Sequence, residues 1–360
     1  MKTARVIGAG LMGLGIAREL AGHGYKVTVF EKNFRAGDEA SKAAAGMIGP
    51  QSEALEDDAY FAATLASRDL WPAYAAELEK ESGLAFGFEA RGALHLAFGA
   101  AYEKRLEAKY LWQKKKAGLL ERLEGEALRE RFGFLHPRVS SAFLAHGDYW
   151  LDNERLVAAL EAACLKRGVE IRCGAAARPM DAGEGSQSDV TVLAAGAWAS
   201  ELFPQLPGVH PVKGQMLSFK VPPALLPSLP IHAEFAYLVP RGADRLLVGA
   251  TVETVGFDKR LTGEGIEWLL QNAFETIPDL RNCEVERIWA GLRPGSGDGW
   301  PTLGATSRPG VFVAAGHYRR GILFLPLTVK ALLQSVTQGS LPAEAQAFAF
   351  ERHLKPAHGL

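Results

Sequence analysis

Three glycines close to the amino terminus have the spacing of a nucleotide-binding loop. The stretch RVIGAGLMGLGIAREL (residues 5–20) contains Gly8, Gly10 and Gly13 in the order Gly-x-Gly-x-x-Gly. In such a loop the first glycine permits a tight turn, the second lets the backbone approach a pyrophosphate, and the third lets the next helix pack on the strand. Glu31 lies further on, where a carboxylate can bind both hydroxyls of an adenosine ribose. The pattern predicts a dinucleotide other than NADP, because Glu31 would repel its additional phosphate.

The residues around the loop form a strand, helix and strand pattern. ARVIG (4–8) is a short run with β-branched residues, and Ile16 and Leu20 lie four apart in the following segment. Gly24 is typical of the end of a helix, and YKVTVFEK (25–32) predicts a second strand. The helix amino terminus would offer donors and positive potential to the phosphates. NAD and FAD share the adenosine end, so this unit does not distinguish them.

Later segments indicate that the cofactor-binding sheet is assembled from distant parts of the chain. SKAAAGMIGP (41–50) is one part, and DVTVLAAGAWASELF (189–203) and GVFVAAGHYRRGILFLP (310–326) are buried-strand patterns that run into a turn of small residues. NERLVAALEAACLKRG (153–168) predicts a helix that feeds the strand VEIRC (169–173). A nicotinamide-binding domain is more commonly one continuous block.

Segments of another character lie between these parts. AFGFEARGALHLAF (85–98), KGQMLSFK (213–220), AYLVPR (236–241), RLLVGATVE (245–253) and VERIWAGLRPG (285–295) predict short strands separated by turns. They indicate a mixed or antiparallel sheet. We therefore expect two interleaved domains, one doubly wound and one rich in sheet.

Composition excludes several classes of protein. The chain has 360 residues, enough for two cores, with 48% hydrophobic and 22% charged residues and a net charge of -1, so nothing favours a nucleic-acid partner. We interpret QKKKAG (113–118) as a solvated helix end. Three scattered cysteines lack any spacing for a metal or a redox pair, so we expect no metal. No signal peptide and no membrane span is apparent, which predicts a cytoplasmic protein.

Several motifs in a fixed order give a resemblance to a known family. Besides the glycine loop with Glu31, they are AAAGMIGPQSE, VLAAGAW, PVKGQ, YLVPR, VGAT, WAGLRPGSGDGWPTLG and AAGHYRRGILFLP. The chain resembles, over nearly its whole length, the ThiO-type glycine oxidases of the D-amino-acid-oxidase family of flavoproteins. The glycine loop alone is a weak signal, whereas AGLRPG followed by AAGHYRRGIL is a specific one. The resemblance implies non-covalent FAD as the cofactor.

The resemblance also implies the fold. We expect an α/β protein in which a Rossmann-like FAD-binding domain is interleaved with a substrate domain built on a mixed or antiparallel sheet. The FAD-binding domain would comprise residues 1–82, 141–211 and 298–360, and the substrate domain residues 83–140 and 212–297. A homotetramer is implied as well, together with supply of glycine imine for thiazole synthesis in organisms that make thiamine.

Candidate site residues follow from the same resemblance. Arg293 corresponds to a bidentate clamp on the substrate carboxylate, Tyr237 to a second donor, and Arg319 to a further arginine near the substrate. From the residues alone, Arg293 would be a solvated loop arginine and Tyr237 a packed sheet tyrosine. The implied cofactor contacts are Gly8, Gly10, Leu11, Met12, Gly13, Glu31, Lys32, Ser41, Ala44, Ala45, Gly46, Met47, Ala195, Gly196, Trp198, Arg293, His317, Arg319, Arg320, Gly321, Ile322 and Leu323.

The chemistry implied is oxidation of an amine-bearing carbon. A hydride leaves Cα toward the flavin, so the protein must fix the carboxylate, aim the Cα–H bond and exclude water. We therefore expect oxidative deamination of glycine or a small amino acid with dioxygen as acceptor, yielding glyoxylate or a 2-oxo acid, ammonia and hydrogen peroxide. The alternatives are a D-amino-acid or sarcosine oxidase, a dehydrogenase with another acceptor, and a non-catalytic dinucleotide-binding module. We interpret His317 as a packing residue rather than a base.

The chain departs from the family pattern at several positions. Residues 174–189 are too short for the strand meander that usually precedes the VLAAG strand, and Phe235 and Val252 replace other side chains around the substrate. Arg320 stands where a neutral residue is common. It either reaches the pocket, where it would pair with the second carboxylate of D-aspartate or D-glutamate, or points to solvent or a subunit contact. We also expect a helix to start near Pro326.

Overall fold

The computed structural model describes residues 1–54, 56–113, 120–177 and 188–354. The helices are α1 (Leu11–Gly22), α2 (Ala40–Ala43), α3 (Pro50–Glu53), α4 (Ala59–Ser82), α5 (Ala100–Gln113), α6 (Gly125–Arg131), α7 (Asn153–Lys166), α8 (Ala199–Leu202), α9 (Gly263–Thr276) and α10 (Gly321–Gln338). The strands are β1 (Thr3–Ile7), β2 (Lys26–Phe30), β3 (Met47–Ile48), β4 (Ala93–Ala97), β5 (Leu120–Glu124), β6 (Ser141–Ala145), β7 (Tyr149–Trp150), β8 (Glu170–Arg172), β9 (Val190–Leu193), β10 (His210–Lys220), β11 (Ile231–His232), β12 (Tyr237–Arg241), β13 (Arg245–Gly249), β14 (Glu284–Gly295), β15 (Thr302–Ala305) and β16 (Val311–Ala315).

One sheet is built from three separate parts of the chain, as the sequence predicts. Its order is β15-β16-β9-β1-β2-β8. β1 pairs in parallel with β2 and β9, and β16 pairs in parallel with β9. Helix α1 follows β1 directly, and α7 leads into β8 as the pattern of residues 153–173 indicates. The strand order reverses between β1 and β9, and because β1, β9 and β16 are parallel, their carboxyl ends lie at one edge of the sheet, where a ligand can bind.

A second sheet has eight strands in the order β14-β10-β13-β12-β11-β4-β6-β5. Most of its pairs are antiparallel, and β11 pairs in parallel with β4, so the sheet is mixed. Separate clusters of buried apolar residues lie against the two sheets, one including Trp71 and Phe324 and the other including Phe219 and Leu238. The α/β class and the interleaving of two sheet units are confirmed.

The two sheets divide the chain at somewhat different residues from those expected. We predicted that residues 141–211 belong with the first sheet, but β6 (Ser141–Ala145) pairs with β4 and β5 of the second. The start of β10 at His210 also pairs with β14. β6 has a partner on each of its edges, β4 and β5, so it is an interior strand of the second sheet and belongs with that sheet. Most of the segment at 174–189 and most of QKKKAG lie outside the described residues.

Helix α10 begins earlier than predicted. It starts at Gly321, directly after a 3-10 turn at Tyr318–Arg320, and Pro326 lies inside it rather than in its first turn. Proline cannot donate a backbone hydrogen bond and disturbs the turn before it. The carbonyl of Leu323, in the turn before Pro326, accepts hydrogen bonds from Ser67 Oγ (2.7 Å) and Trp71 Nε1 (3.2 Å) of α4. Side chains of α4 therefore hold the turn in which the proline lies.

Candidate active site

A cavity of about 880 Å³ opens between the two sheets. Its size lies in the upper range for small-molecule and cofactor pockets. The cavity is lined by every predicted site residue except Gly13. These residues are Gly8, Gly10, Leu11, Met12, Glu31, Lys32, Ser41, Ala44, Ala45, Gly46, Met47, Ala195, Gly196, Trp198, Tyr237, Arg293, His317, Arg319, Arg320, Gly321, Ile322 and Leu323.

The glycine loop at one end of the cavity leaves no room for side chains. Gly8 has φ +104°, and a Cβ there would lie 3.0 Å from the carbonyl carbon of Ala194 in the turn after β9. A Cβ on Gly13 would lie 3.0 Å from the carbonyl carbon of Gly8 and 3.3 Å from a methyl of Val6. Gly13 therefore lets α1 pack on β1, which explains why it does not line the cavity itself.

Glu31 ends β2 beside this loop and is 7% exposed. Its Oε2 accepts a hydrogen bond from the backbone N–H of Ala9 (2.8 Å), and its Oε1 accepts one from Asn33 (2.9 Å). These contacts fix the carboxylate and leave it further lone pairs for ribose hydroxyls. Next to it, the Lys32 ammonium lies 3.0 Å from the ring centroid of Trp198, a cation–π contact across the cavity wall.

These features fit a bound FAD. A backbone cradle that side chains would fill suits a pyrophosphate, and the amino terminus of α1 faces the same loop with its N–H groups. The amino terminus of α10 lines the cavity at Gly321, Ile322 and Leu323. Its positive potential would stabilise negative charge on a reduced flavin ring. The residues present thus match both ends of the cofactor.

The loop of residues 44–47, before and within β3, is held by an arginine of the second sheet. Arg241 of β12 is 8% exposed, and its Nη2 donates to the carbonyl of Ala45 (2.8 Å) and to Asn153 Oδ1 (3.0 Å). A Cβ on Gly46, at φ +81°, would lie 3.1 Å from this Nη2. Burial lowers the pKa of Arg241, and Asp152 opposes that effect. Arg241 therefore joins the second sheet to the cofactor side.

Arg293 lies on β14 with its guanidinium over a glycine of the neighbouring strand. A Cβ on Gly214 of β10 would lie only 2.5 Å from Arg293 Cζ. Nη1 donates to the carbonyls of Thr251 (3.0 Å) and Lys213 (3.3 Å). These bonds orient the guanidinium flat against the sheet and leave Nη2 and Nε for a ligand. A planar fork held in this way is suited to a carboxylate.

Tyr237 lies beside Arg293 and is positioned by a second glycine. It stands opposite Gly249 in the β12–β13 ladder, and a Cβ on Gly249 would lie 2.5 Å from the Tyr237 hydroxyl oxygen. The ring therefore lies across β13 toward Arg293. Burial raises the pKa of Tyr237, and the positive charge of Arg293 opposes this effect. A neutral phenol there can donate one hydrogen bond to an anion.

Arg319 and Arg320 follow β16 in the 3-10 turn and share one carboxylate. Glu53 Oε2 lies 3.8 Å from Arg319 Nε and 3.6 Å from Arg320 Nε. Arg320 also donates to the carbonyl of Glu53 (2.6 Å) and lies 4.6 Å from the ring centroid of Tyr60, with 18% of its side chain exposed. Arg320 therefore lines the cavity, as expected if it reaches the pocket, but Glu53 already pairs with its charge.

His317 is held away from any role as a base. Its Nε2 is 3.0 Å from Thr328 Oγ1 of α10, and the side chain is buried. Burial lowers the pKa of His317 to about 3. The ring is therefore neutral near pH 7 and joins the turn after β16 to α10, which agrees with its interpretation as a packing residue.

Several residues that shape this site were not predicted from the sequence. Gly214 and Gly249 occur in the quoted motifs PVKGQ and VGAT. A glycine inside a strand pattern indicates that a larger group approaches the backbone closely, and this was the signal that the sequence offered. Nothing in a single sequence distinguishes Arg241 from other strand arginines. Further polar residues line the cavity beyond Tyr237, among them Ser52, His95, Lys109 and His232.

The fold and the cavity are those of a dinucleotide-dependent oxidoreductase, with a partly buried arginine, Arg293, whose geometry suits a carboxylate. Comparisons with known proteins agree. A family model described as FAD dependent oxidoreductase (DAO) matches residues 4–334. The chain is 33% identical to the glycine oxidase of Geobacillus kaustophilus (strain HTA426), over 97% of this chain and 96% of that protein. The crystal structure of glycine oxidase from Geobacillus kaustophilus superposes with a TM-score of 0.89 at 32% identity, covering 99% of this chain and 100% of that one.

The chain therefore belongs to the D-amino-acid-oxidase family of FAD-dependent oxidoreductases. It is also 33% identical to the bifunctional protein ThiO/ThiG of Trichormus variabilis, over 98% of this chain but only 55% of that protein.

Among the residues that the structure describes, no helix is long and apolar enough to cross a membrane, and no group of three or more His, Cys, Asp or Glu side chains could hold a metal ion.

Proposed function

We propose that the protein oxidises glycine or another small amino acid at Cα. The products are an imine, which hydrolyses to glyoxylate or a 2-oxo acid and ammonia, and hydrogen peroxide from dioxygen. The observation that carries this proposal is the pair Arg293 and Tyr237, each placed over a glycine in the cavity that fits FAD. The names of the glycine oxidases that the chain resembles support the choice of glycine.

The proposed roles of the residues follow from their positions. Arg293 binds the substrate carboxylate through two N–H groups, and Tyr237 donates a further hydrogen bond to it. Arg319 adds positive charge beside them. FAD, when bound, accepts the hydride from Cα and passes the electrons to dioxygen. The chain's own residues orient the Cα–H bond and exclude water, and the reaction requires this orientation more than it requires a general base.

The substrate amine must lose its proton before the hydride leaves. His317 does not supply a base, because it is hydrogen-bonded to Thr328 and burial lowers its pKa to about 3. We therefore propose that the enzyme binds the unprotonated amine. Activity should then rise with pH through the range in which the substrate amine in solution loses its proton.

Anaerobic reduction tests the proposal. The purified protein should be yellow and release FAD on denaturation, and glycine should bleach it under nitrogen. Air should restore the colour while glyoxylate, ammonia and hydrogen peroxide appear. Faster bleaching by sarcosine or a D-amino acid would support those oxidases instead, and bleaching without reoxidation by air would support a dehydrogenase. No bleaching by any amine would leave only a non-catalytic dinucleotide-binding module.

Further features are proposed with the function. The division into an FAD-binding unit and a substrate unit follows the two sheets, with β6 assigned to the substrate unit. A homotetramer, a cytoplasmic location and supply of glycine imine for thiazole synthesis come from the resemblance to ThiO-type proteins. Size-exclusion chromatography with light scattering tests the first, and complementation of a thiazole-requiring strain tests the last.

A further inference from the structure

The cavity continues past Tyr237 into a lobe whose polar side chains take no part in the proposed oxidation. Its wall is formed by α5, which contributes Tyr102, Leu106 and Lys109, and by His95 and His232 of the second sheet. Lys109 is partly buried and donates a hydrogen bond to the carbonyl of Ser52. This lobe is joined to the carboxylate clamp by the sheet itself.

The strand register connects this lobe to Tyr237. Tyr237 of β12 stands opposite His232 of β11, and His232 stands opposite His95 of β4. Residues opposite each other in a sheet lie on the same face. His95 is therefore two strand spacings, about 10 Å, from Tyr237 along that face. The rings of His95 and His232 stack with centroids 4.5 Å apart.

Lys109 is the cation of this lobe without a carboxylate partner. Among the described residues, no carboxylate oxygen lies within 4.0 Å of its ammonium. The nearby Glu53 is taken by Arg319 and Arg320. Burial lowers the pKa of Lys109, and the charges of Asp148 and Glu53 oppose this effect without contacting the ammonium, so a ligand carboxylate in direct contact would stabilise it.

Among the described residues, the other ionisable groups of the lobe form no ion pair with Lys109, and Glu234 pairs instead with Arg105 (2.6 Å). Asp148 is 1% exposed and already accepts hydrogen bonds from the backbone N–H groups of Gln51 (2.9 Å) and Ser52 (3.1 Å) and from the Ser52 hydroxyl. Burial raises the pKa of Asp148 to about 6. Burial also lowers the pKa of His95 well below its usual range and that of His232 to about 3, so both rings are neutral.

We propose that Lys109 forms a distal carboxylate subsite, which selects amine substrates with a second carboxylate remote from the one bound by Arg293. The proposal rests on the proposed function, because Arg293 must hold the first carboxylate. Arg320 is not the distal cation, since Glu53 pairs with it and its ion pair would have to break. The neutral histidine pair lines the path between the two charges, and the ammonium retains donors beyond the bond to Ser52.

Binding of inert ligands to the FAD-loaded enzyme tests this subsite. We would measure by calorimetry the dissociation constants of α,ω-dicarboxylates from succinate to suberate and of the monocarboxylates with the same number of carbons. A charge-assisted hydrogen bond predicts that, at the length that spans the two sites, the dicarboxylate binds roughly tenfold more tightly than its monocarboxylate. That ratio should fall to about one in Lys109→Gln and persist in Lys109→Arg, because arginine keeps the charge.

Lys104→Gln is the matched control. Lys104 is on the same helix but exposed and away from the cavity, so its loss removes an equal charge and should keep the ratio and the glycine activity. Equal binding of both ligand types at every length, or an unchanged ratio in Lys109→Gln, would overturn the subsite. A ratio lost equally in Lys104→Gln would also overturn it, by showing a general effect of charge. If glycine failed to bleach the flavin while the ratio behaved as expected, the proposed function would fail and the subsite would stand.

Discussion

Replacing Gly214 by alanine should disable the carboxylate clamp without touching any of its functional groups. The added methyl would lie 2.5 Å from Arg293 Cζ, whereas carbon atoms in contact need about 3.5 Å. The guanidinium must therefore move about 1 Å away from β10. Its two hydrogen bonds to the carbonyls of Thr251 and Lys213 prevent a simple slide along the sheet.

The displacement sets the expected magnitude. Charge-assisted hydrogen bonds contribute about 1.5 to 3 kcal/mol each, and loss of one corresponds to roughly a ten- to a hundredfold effect. A shift of about 1 Å in a group that positions the reacting carbon can cost a further hundredfold in rate. We therefore expect kcat/KM for glycine to fall at least tenfold in Gly214→Ala, while FAD binding remains, because the glycine loop and Glu31 belong to the first sheet and Gly214 to the second.

Stopped-flow reduction by glycine under nitrogen, with flavin content and thermal midpoint measured alongside, is the appropriate assay. Gly263→Ala is the matched control, since Gly263 has an ordinary φ and a Cβ there would have no atom within 4 Å. Arg293→Leu marks the complete loss of the clamp. If Gly214→Ala reduced its flavin within twofold of the wild-type rate constants while Arg293→Leu did not, the close packing of Arg293 on Gly214 would have no part in substrate binding.

Three further predictions concern the cofactor side. Glu31→Gln should weaken FAD binding roughly tenfold or more, because a buried carboxylate that accepts two backbone bonds loses its charge and one acceptor; fluorescence titration of the apoprotein measures it. Arg241→Leu should raise the FAD dissociation constant and the glycine dissociation constant together, as separate titrations would show. Burial lowers the pKa of His317 to about 3 in the folded protein, whereas the unfolded chain binds that proton near pH 6.5. The free energy of unfolding should therefore be fully present above pH 6.5 and fall by up to about 1.4 kcal/mol per pH unit below it. Urea unfolding at several pH values should show a smaller slope in His317→Gln.

The sequence predicts the cofactor side of this protein better than the substrate side. The glycine loop, Glu31 and the strands after residues 189 and 310 are local patterns, in which neighbouring residues determine the conformation and the sheet edge follows from strand order. All the residues predicted from them line the cavity apart from Gly13, whose packing role was part of the same prediction.

The substrate side depends on contacts that local patterns do not encode. Lys109 in α5 resembles any helical lysine, and only the fold brings it to Ser52 and the lobe beside His95. Arg320 was expected either to bind a second carboxylate or to face solvent, because a single sequence does not show that Glu53 will meet it. The predicted start of α10 was wrong for a related reason, since the turn before Pro326 is held by Ser67 and Trp71, which are far away in sequence.

Two strands of the second sheet each carry a proposed substrate-binding residue and a residue that bonds the segment before β3, with the same spacing. On β12 they are Tyr237 and Arg241, and on β14 they are Arg293 and Trp289, whose Nε1 donates to the carbonyl of Ala43 (3.1 Å) just before the loop of residues 44–47. Residues four apart in a strand lie on the same face, about 13 Å from each other. Arg293, Tyr237 and the loop of residues 44–47 are therefore held by the same two strands. If FAD binds along that loop, this arrangement would fix the substrate carboxylate relative to it through backbone geometry rather than through flexible side chains.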